Sequence, residues 1–249
     1  MNAQNGHLDI GGVFDSTTEI YKNCFGTVWI VALVLLIPAN IIVALLGNGI
    51  LGIIGSLISL AASAWLMGSI IKIVQDVEAD GRVDMSVGEI LGAVWPRIIP
   101  IILLEIVVGI LVAIGLVFLI VPGVILALMW SVSLPALVVE DKGVFDSMSR
   151  SSDLTRENRM RILGLAILIL VLYLVLVIVV ALLAAITPIL GIIVGIVLGV
   201  LIYPYIAIIS TVLYFNLVEL KEGLVMASET VVEETLIVDE GPADPPAAV

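Results

Sequence analysis

The sequence predicts an all-α membrane protein of six transmembrane helices, arranged as three hairpins, each preceded by a short amphipathic interfacial helix. Three observations predict it. The first is composition: of 249 residues, 61% are hydrophobic and only 13% charged, with a mean hydropathy of +1.28, whereas a soluble domain is roughly 45–50% apolar and about 25% charged. That leaves too little polar surface to coat a water-soluble globule. The second is a series of long apolar runs, since about 20 apolar residues cross a bilayer core of about 30 Å. The third is the placement of the basic residues, which gather at one set of span ends.

Six apolar runs can be marked, at 26–46, 50–74, 98–120, 124–139, 162–186 and 189–218. The second and sixth are long enough to tilt or project. The fourth is short and is expected to extend through its turn. Turn chemistry separates the members of each pair: Gly47-Asn48-Gly49, then Val121-Pro122-Gly123, then Thr187-Pro188. Gly, Pro and Asn let a chain reverse in few steps.

Orientation follows from Lys22, Lys72, Arg82, Arg97, Lys142, Arg150, Arg156, Arg159, Arg161 and Lys221, all at the open ends of the expected hairpins. The three tight turns carry no charge. Lys and Arg are retained on the cytoplasmic side, so both termini and both long connections are expected there. The first 25 residues hold Asp9, Asp15 and Glu19 and lack a basic start followed by an apolar core. The first span is therefore expected to serve as an uncleaved insertion signal.

The connections repeat. Gly12-Val13-Phe14-Asp15-Ser16 recurs letter for letter as Gly143-Val144-Phe145-Asp146-Ser147. The pairs also end alike, on Val77-Glu78, Val139-Glu140 and Val218-Glu219, each followed within a few residues by glycine. These matches predict a membrane domain over 1–223 built from three units, at about 11–81, 82–142 and 143–223. The remaining 224–249 hold six acids and no base and are expected to form a disordered acidic tail.

Each unit should open on a helix lying in the headgroup plane. In 14–25, Phe14, Ile20, Tyr21 and Phe25 approximate one face while Asp15, Glu19, Lys22 and Asn23 are polar. The segment 144–161 carries Arg150, Arg156, Arg159 and Arg161. These can meet anionic headgroups, each worth about 1 kcal/mol near the surface; the plainer reading is that they only hold the loop inside.

Within the spans, Glu105 is the one charge placed well inside an apolar run and not at its end. An ionised group there costs roughly 2.5 kcal/mol or more unless protonated or paired. It is either a structural acid hydrogen-bonded to a neighbouring helix or a transport residue. Pro38, Pro135 and Pro204 interrupt three spans, with Asn40 close to the first. Such breaks can mark a transport site, though kinks for packing explain them with fewer assumptions. Small residues recur every four positions: Gly55, Ser59 and Ser63; Gly123, Ala127 and Ser131; Gly191, Gly195 and Gly199. Close approach through small faces drives helix association in lipid. These faces are expected to pack spans two, four and six, or to meet a protein partner or a second copy of the chain.

Enzymes and nucleic-acid binders are poorly served by this chain. It has one His (His7), one Cys (Cys24) and a net charge of −12. Metal clusters and acid–base pairs lack residues, and an acidic chain is a poor match for phosphate backbones. No cofactor is expected.

Pro135-Ala136-Leu137-Val138-Val139-Glu140, Arg150-Ser151, Leu154-Thr155 and the run from Asn158 through Arg159-Met160-Arg161 to Gly164, with the Ile120-Val121-Pro122-Gly123 turn, carry a resemblance over roughly 84–165. The chain resembles the glycerophosphoryl diester phosphodiesterase membrane domain family and the related YciC-like membrane proteins. In that family the membrane domain is fused to a phosphodiesterase domain or stands alone with no assigned activity. One histidine cannot supply the two that the catalytic domain uses, so the resemblance implies a membrane domain without catalysis. The function expected is a non-enzymatic scaffold or lipid-interacting module in the cytoplasmic membrane of a prokaryote, its partners membrane lipids. The alternative is a small transporter or channel using Glu105.

Overall fold

The computed structural model describes the backbone of residues 8–47 and 49–239, and their side chains except those of 80, 188, 192–193, 195–200 and 224–239. Among the described residues there is helix and no strand. Six helical segments are long and apolar enough to cross a membrane.

Helix α1 (Ile10–Leu46) starts at Asp9, whose side chain accepts the Gly11 N–H at 3.0 Å, a standard cap. It is unbroken. The amphipathic helix expected over 14–25 is therefore its first turns and not a separate piece, because no glycine or proline turn parts them from the span. Val13, Thr17, Ile20 and Cys24 are buried there against the protein interior, while Phe25 is exposed. Gly47 and Gly49, at φ +64° and +82°, make the reversal into α2 (Ile50–Asp80), using a region open to glycine.

Asp76 on α2 accepts the N–H groups of Asp84 and Met85 and so latches the loop after it. Ser86 and Glu89 then form a capping box at the start of α3 (Val87–Val94). A 3₁₀ turn, Trp95–Arg97, leads into α4 (Ile98–Phe118). The next reversal sits at Leu119, which is extended (φ −159°, ψ 133°), and not at Val121-Pro122-Gly123. Pro122 instead stands in the first turn of α5 (Ile120–Met129), where its missing N–H would have had no helical partner.

The fourth span is broken. After α5 the chain leaves the helix at Trp130–Val132 and resumes as α6 (Ser133–Val139). A turn with Asp141 at φ +60°, which Asp tolerates, leads into α7 (Val144–Thr155). Helix α8 (Arg159–Ile186) follows, then, after Thr187, α9 (Pro188–Asp239). The backbone of α9 is helical well past Gly223, into the segment expected as a disordered tail. Gly223 alone does not stop it, and the next prolines, from Pro242 on, come after its end.

The main core joins α1, α2 and α9, from Val13 and Val28 across Leu66 and Ile70 to Ile208 and Leu217. A smaller cluster joins α2, α4, α6 and α7 through Ile71, Leu104, Leu137 and Met148. Outside these cores the helices present Leu, Ile and Val outward, most fully along α8. An apolar exterior of this extent belongs in hydrocarbon.

Candidate functional site

The broken span shows most clearly how polar groups are used. Pro135 has no N–H, so the Ser131 carbonyl four residues earlier has no helical donor. Ser210 Oγ on α9 donates to it at 3.1 Å. The Met129 carbonyl accepts Ser151 Oγ at 2.8 Å and Thr155 Oγ1 at 3.3 Å, and Ser151 Oγ itself accepts the Val132 N–H at 3.3 Å. Broken backbone at membrane depth must be satisfied by neighbouring protein. Helix α7 does this with Ser151 and Thr155, both fully buried.

One end of the bundle is tied by charge. Glu140, after α6, accepts Arg150 Nε at 2.7 Å and Tyr214 Oη at 2.6 Å on one oxygen, and Lys142 Nζ on the other. Glu222 lies 3.6 Å from the Arg150 guanidinium. Partial burial alone would raise the Glu140 pKa, but the bonds from Lys142, Tyr214 and Arg150 outweigh it and hold the carboxyl at about 2. Nearby, Arg97 pairs with Asp141.

The four loop arginines therefore have different surroundings. Arg150 faces Glu140, and Arg161 donates to the Leu8 carbonyl at 2.6 Å. The Leu8 N–H in turn donates to Asn158 Oδ1 at 3.3 Å, tying Leu8 to the start of α8. Arg159 is half-buried, and its Nε meets no partner among the described residues. Arg156 is exposed.

Glu105 is half-buried on α4 and makes no hydrogen bond or ion pair to a described residue; Tyr203 on α9 lies within electrostatic reach. Asn40 is exposed and donates to the Leu36 carbonyl of its own helix at 2.8 Å. The small residues also separate. A Cβ on Gly55 would stand 3.5 Å from Val43 Cα, one on Gly123 2.5 Å from the Leu116 backbone, and one on Gly191 2.6 Å from Ala184 Cα. Ser59 is part-exposed and Ala127 is exposed. Gly195 and Gly199 lie outside the described residues. Gly68, which the four-residue spacing missed, touches α3 and α4: a Cβ there would meet Val94 Cγ1 at 2.5 Å and Ile101 Cδ1 at 2.8 Å.

Two apolar grooves open sideways. The larger, about 610 Å³, runs between α1, α2 and the start of α4, from Pro38 and Ile42 to Trp65, Trp95, Pro96 and Ile98. Its lining runs from Val34 to Ile42 on α1 and from Ile58 to Trp65 on α2, about 12 Å and about 10 Å of helix, so the groove follows roughly a third to a half of the hydrocarbon depth. Trp65 donates its Nε1–H to the Leu91 carbonyl at 3.0 Å, and its ring lies 5.0 Å from Trp95. The smaller groove, about 310 Å³, lies between α8 and α9 with Phe14, Tyr173 and Tyr205 in its wall. Glu105 lines neither. Sequence periodicity finds the apolar faces but not these grooves, which form only where three helices meet.

Helices of this length and an exterior of this kind define a multi-pass α-helical membrane protein. The profile of the uncharacterised protein family UPF0259 matches residues 46–216, and the chain belongs to that family. No solved structure matches it.

Proposed function

We propose that this chain is a non-enzymatic lipid-interacting module or scaffold of a prokaryotic cytoplasmic membrane, built as three helical hairpins with both termini in the cytoplasm. The observation that carries the reading is the larger groove. Its volume falls within the roughly 300–1,000 Å³ of ordinary ligand pockets, its walls are almost wholly apolar, and it opens towards hydrocarbon. An acyl chain fits that description, and a polar solute does not. The hairpin reading is supported by the packing of α1 on α2, α4 on α5 and α8 on α9. The orientation is supported by the ten Lys and Arg at one set of ends. The polar networks at Glu140 and Ser151 tie helices to one another, which fits a structural role for these polar groups.

Native mass spectrometry of the chain purified in mild detergent tests this. Phospholipid should stay bound to the wild type and be lost from Ala61→Phe, which fills the groove wall. A wild-type chain free of lipid would overturn the proposal.

A small transporter or channel is the second reading. Glu105 favours it, as a half-buried acid with no hydrogen-bonding partner among the described residues. Solute or proton flux in proteoliposomes that disappears in Glu105→Gln would establish it over the first.

A further inference from the structure

Two cations stand beyond one end of the larger groove. Trp95 and Pro96 close it on the basic side, and the next residue is Arg97. Lys72 lies on the same face of α2 as Trp65, seven residues and about 10 Å further along. Gly68 between them leaves room for Val94 and Ile101, so the turn at Trp95–Arg97 crosses α2 there. The Lys72 ammonium is half-buried and lies within electrostatic reach of the Arg97 guanidinium. Asp141, mostly exposed, balances Arg97. Lys72 donates to the neutral Gln75 Oε1 at 2.9 Å, and no described carboxylate pairs with it. Lys72, beyond the turn that closes the groove, is left without a described anion.

The tryptophans set the depth. The Trp65 ring is held by the Leu91 carbonyl and by Trp95, and Trp95 is 63% exposed. Indoles favour the level of the headgroups. Hydrocarbon outside the groove is as apolar as its walls, so an acyl chain alone gains little by entering. Selectivity has to come from the headgroup, where the unbalanced charge lies.

We infer that the groove takes one acyl chain of an anionic glycerophospholipid from the leaflet on the basic side, with its phosphate at Lys72 and Arg97 beside Trp95. This rests on the lipid-module reading and adds the headgroup class, the leaflet and the residues.

The test reconstitutes a Trp29→Phe, Trp130→Phe chain, in which Trp65 and Trp95 are the remaining indoles, into phosphatidylcholine vesicles. Brominated-chain phosphatidylglycerol or brominated-chain phosphatidylcholine is then titrated in as a quencher. The anionic lipid should quench with a preference of about fivefold, the effect of one basic contact near the surface. Lys72→Gln should bring the two lipids to parity, and Ala61→Phe should weaken quenching by both. Lipid retained by the unmodified chain through detergent, identified by mass spectrometry, gives a readout that needs no substitution and should be enriched in phosphatidylglycerol. Equal quenching, with bound but unselected lipid, would overturn the inference and leave the lipid-module reading standing. A chain that retains no lipid at all would overturn both.

Discussion

Glu140 shows how one side chain can decide what its neighbours are free to do. The sequence shows an acid at the end of a span and arginines ten and more residues on. It does not show that Arg150, Lys142 and Tyr214 all converge on that acid. A carboxyl held at about 2, against an ordinary value of 4.5, binds fewer protons folded than unfolded between those limits. Its contribution to stability is therefore complete above about pH 4.5 and is lost as pH falls towards 2. Thermal unfolding in detergent should show the wild type losing stability over that window. Glu140→Gln should be weaker at neutral pH by about 1–3 kcal/mol and flatter below pH 4.5. Ser151 behaves differently, since it has no charge and is fully buried. Ser151→Ala would leave the Val132 N–H without its acceptor and Met129 with the longer Thr155 bond alone, at a cost of about 1–3 kcal/mol. An unchanged melting temperature would show that the break in the span does not depend on that hydroxyl.

Among the elements, small residues matter only where another helix covers them. Spacing alone treats Gly123 and Ala127 alike, and Gly109, with Ala113 four residues on, like Gly191. The packing does not: Gly123 and Gly191 meet backbone across a reversal, Gly109 meets nothing within 4 Å, and Ala127 is exposed. Gly191→Leu should part α8 from α9, and Gly68→Leu should push the α3–α4 corner off α2. Each should lower the melting temperature and the yield of monodisperse protein, as overpacking by about 1–3 kcal/mol does. Gly109→Leu should be indistinguishable from wild type. The turn that moved to Leu119 belongs to the same scale. Pro122 and Gly123 read as a reversal because both residues favour turns, yet a proline fits the first turn of a helix just as well, and packing against α4 settled which.

For the whole molecule the decisive property is orientation across the bilayer. Cysteines placed at Leu119 and Ile189 in a Cys24→Ser chain should react with a membrane-impermeant maleimide added outside intact cells. One placed at Asp146 should react only after lysis. Labelling of the Leu119 site only after lysis would overturn the proposed topology. The chain that keeps its buried Cys24 and carries no added cysteine should stay unlabelled before lysis.

The amino-acid sequence by itself determined that this chain enters a membrane, about where its helices lie, and which ends carry the positive charge. Those properties follow from the solvation of runs and of single charges, and each residue contributes to them wherever it sits in the fold. Only the tertiary structure decided that Arg150 faces Glu140, that Ser151 and Ser210 satisfy a broken span, and that Trp65 and Trp95 close one end of a groove. These are pairings between different elements, from 10 to 79 residues apart in the chain. Their energies exist only once the helices are packed, so no local pattern of residues encodes them.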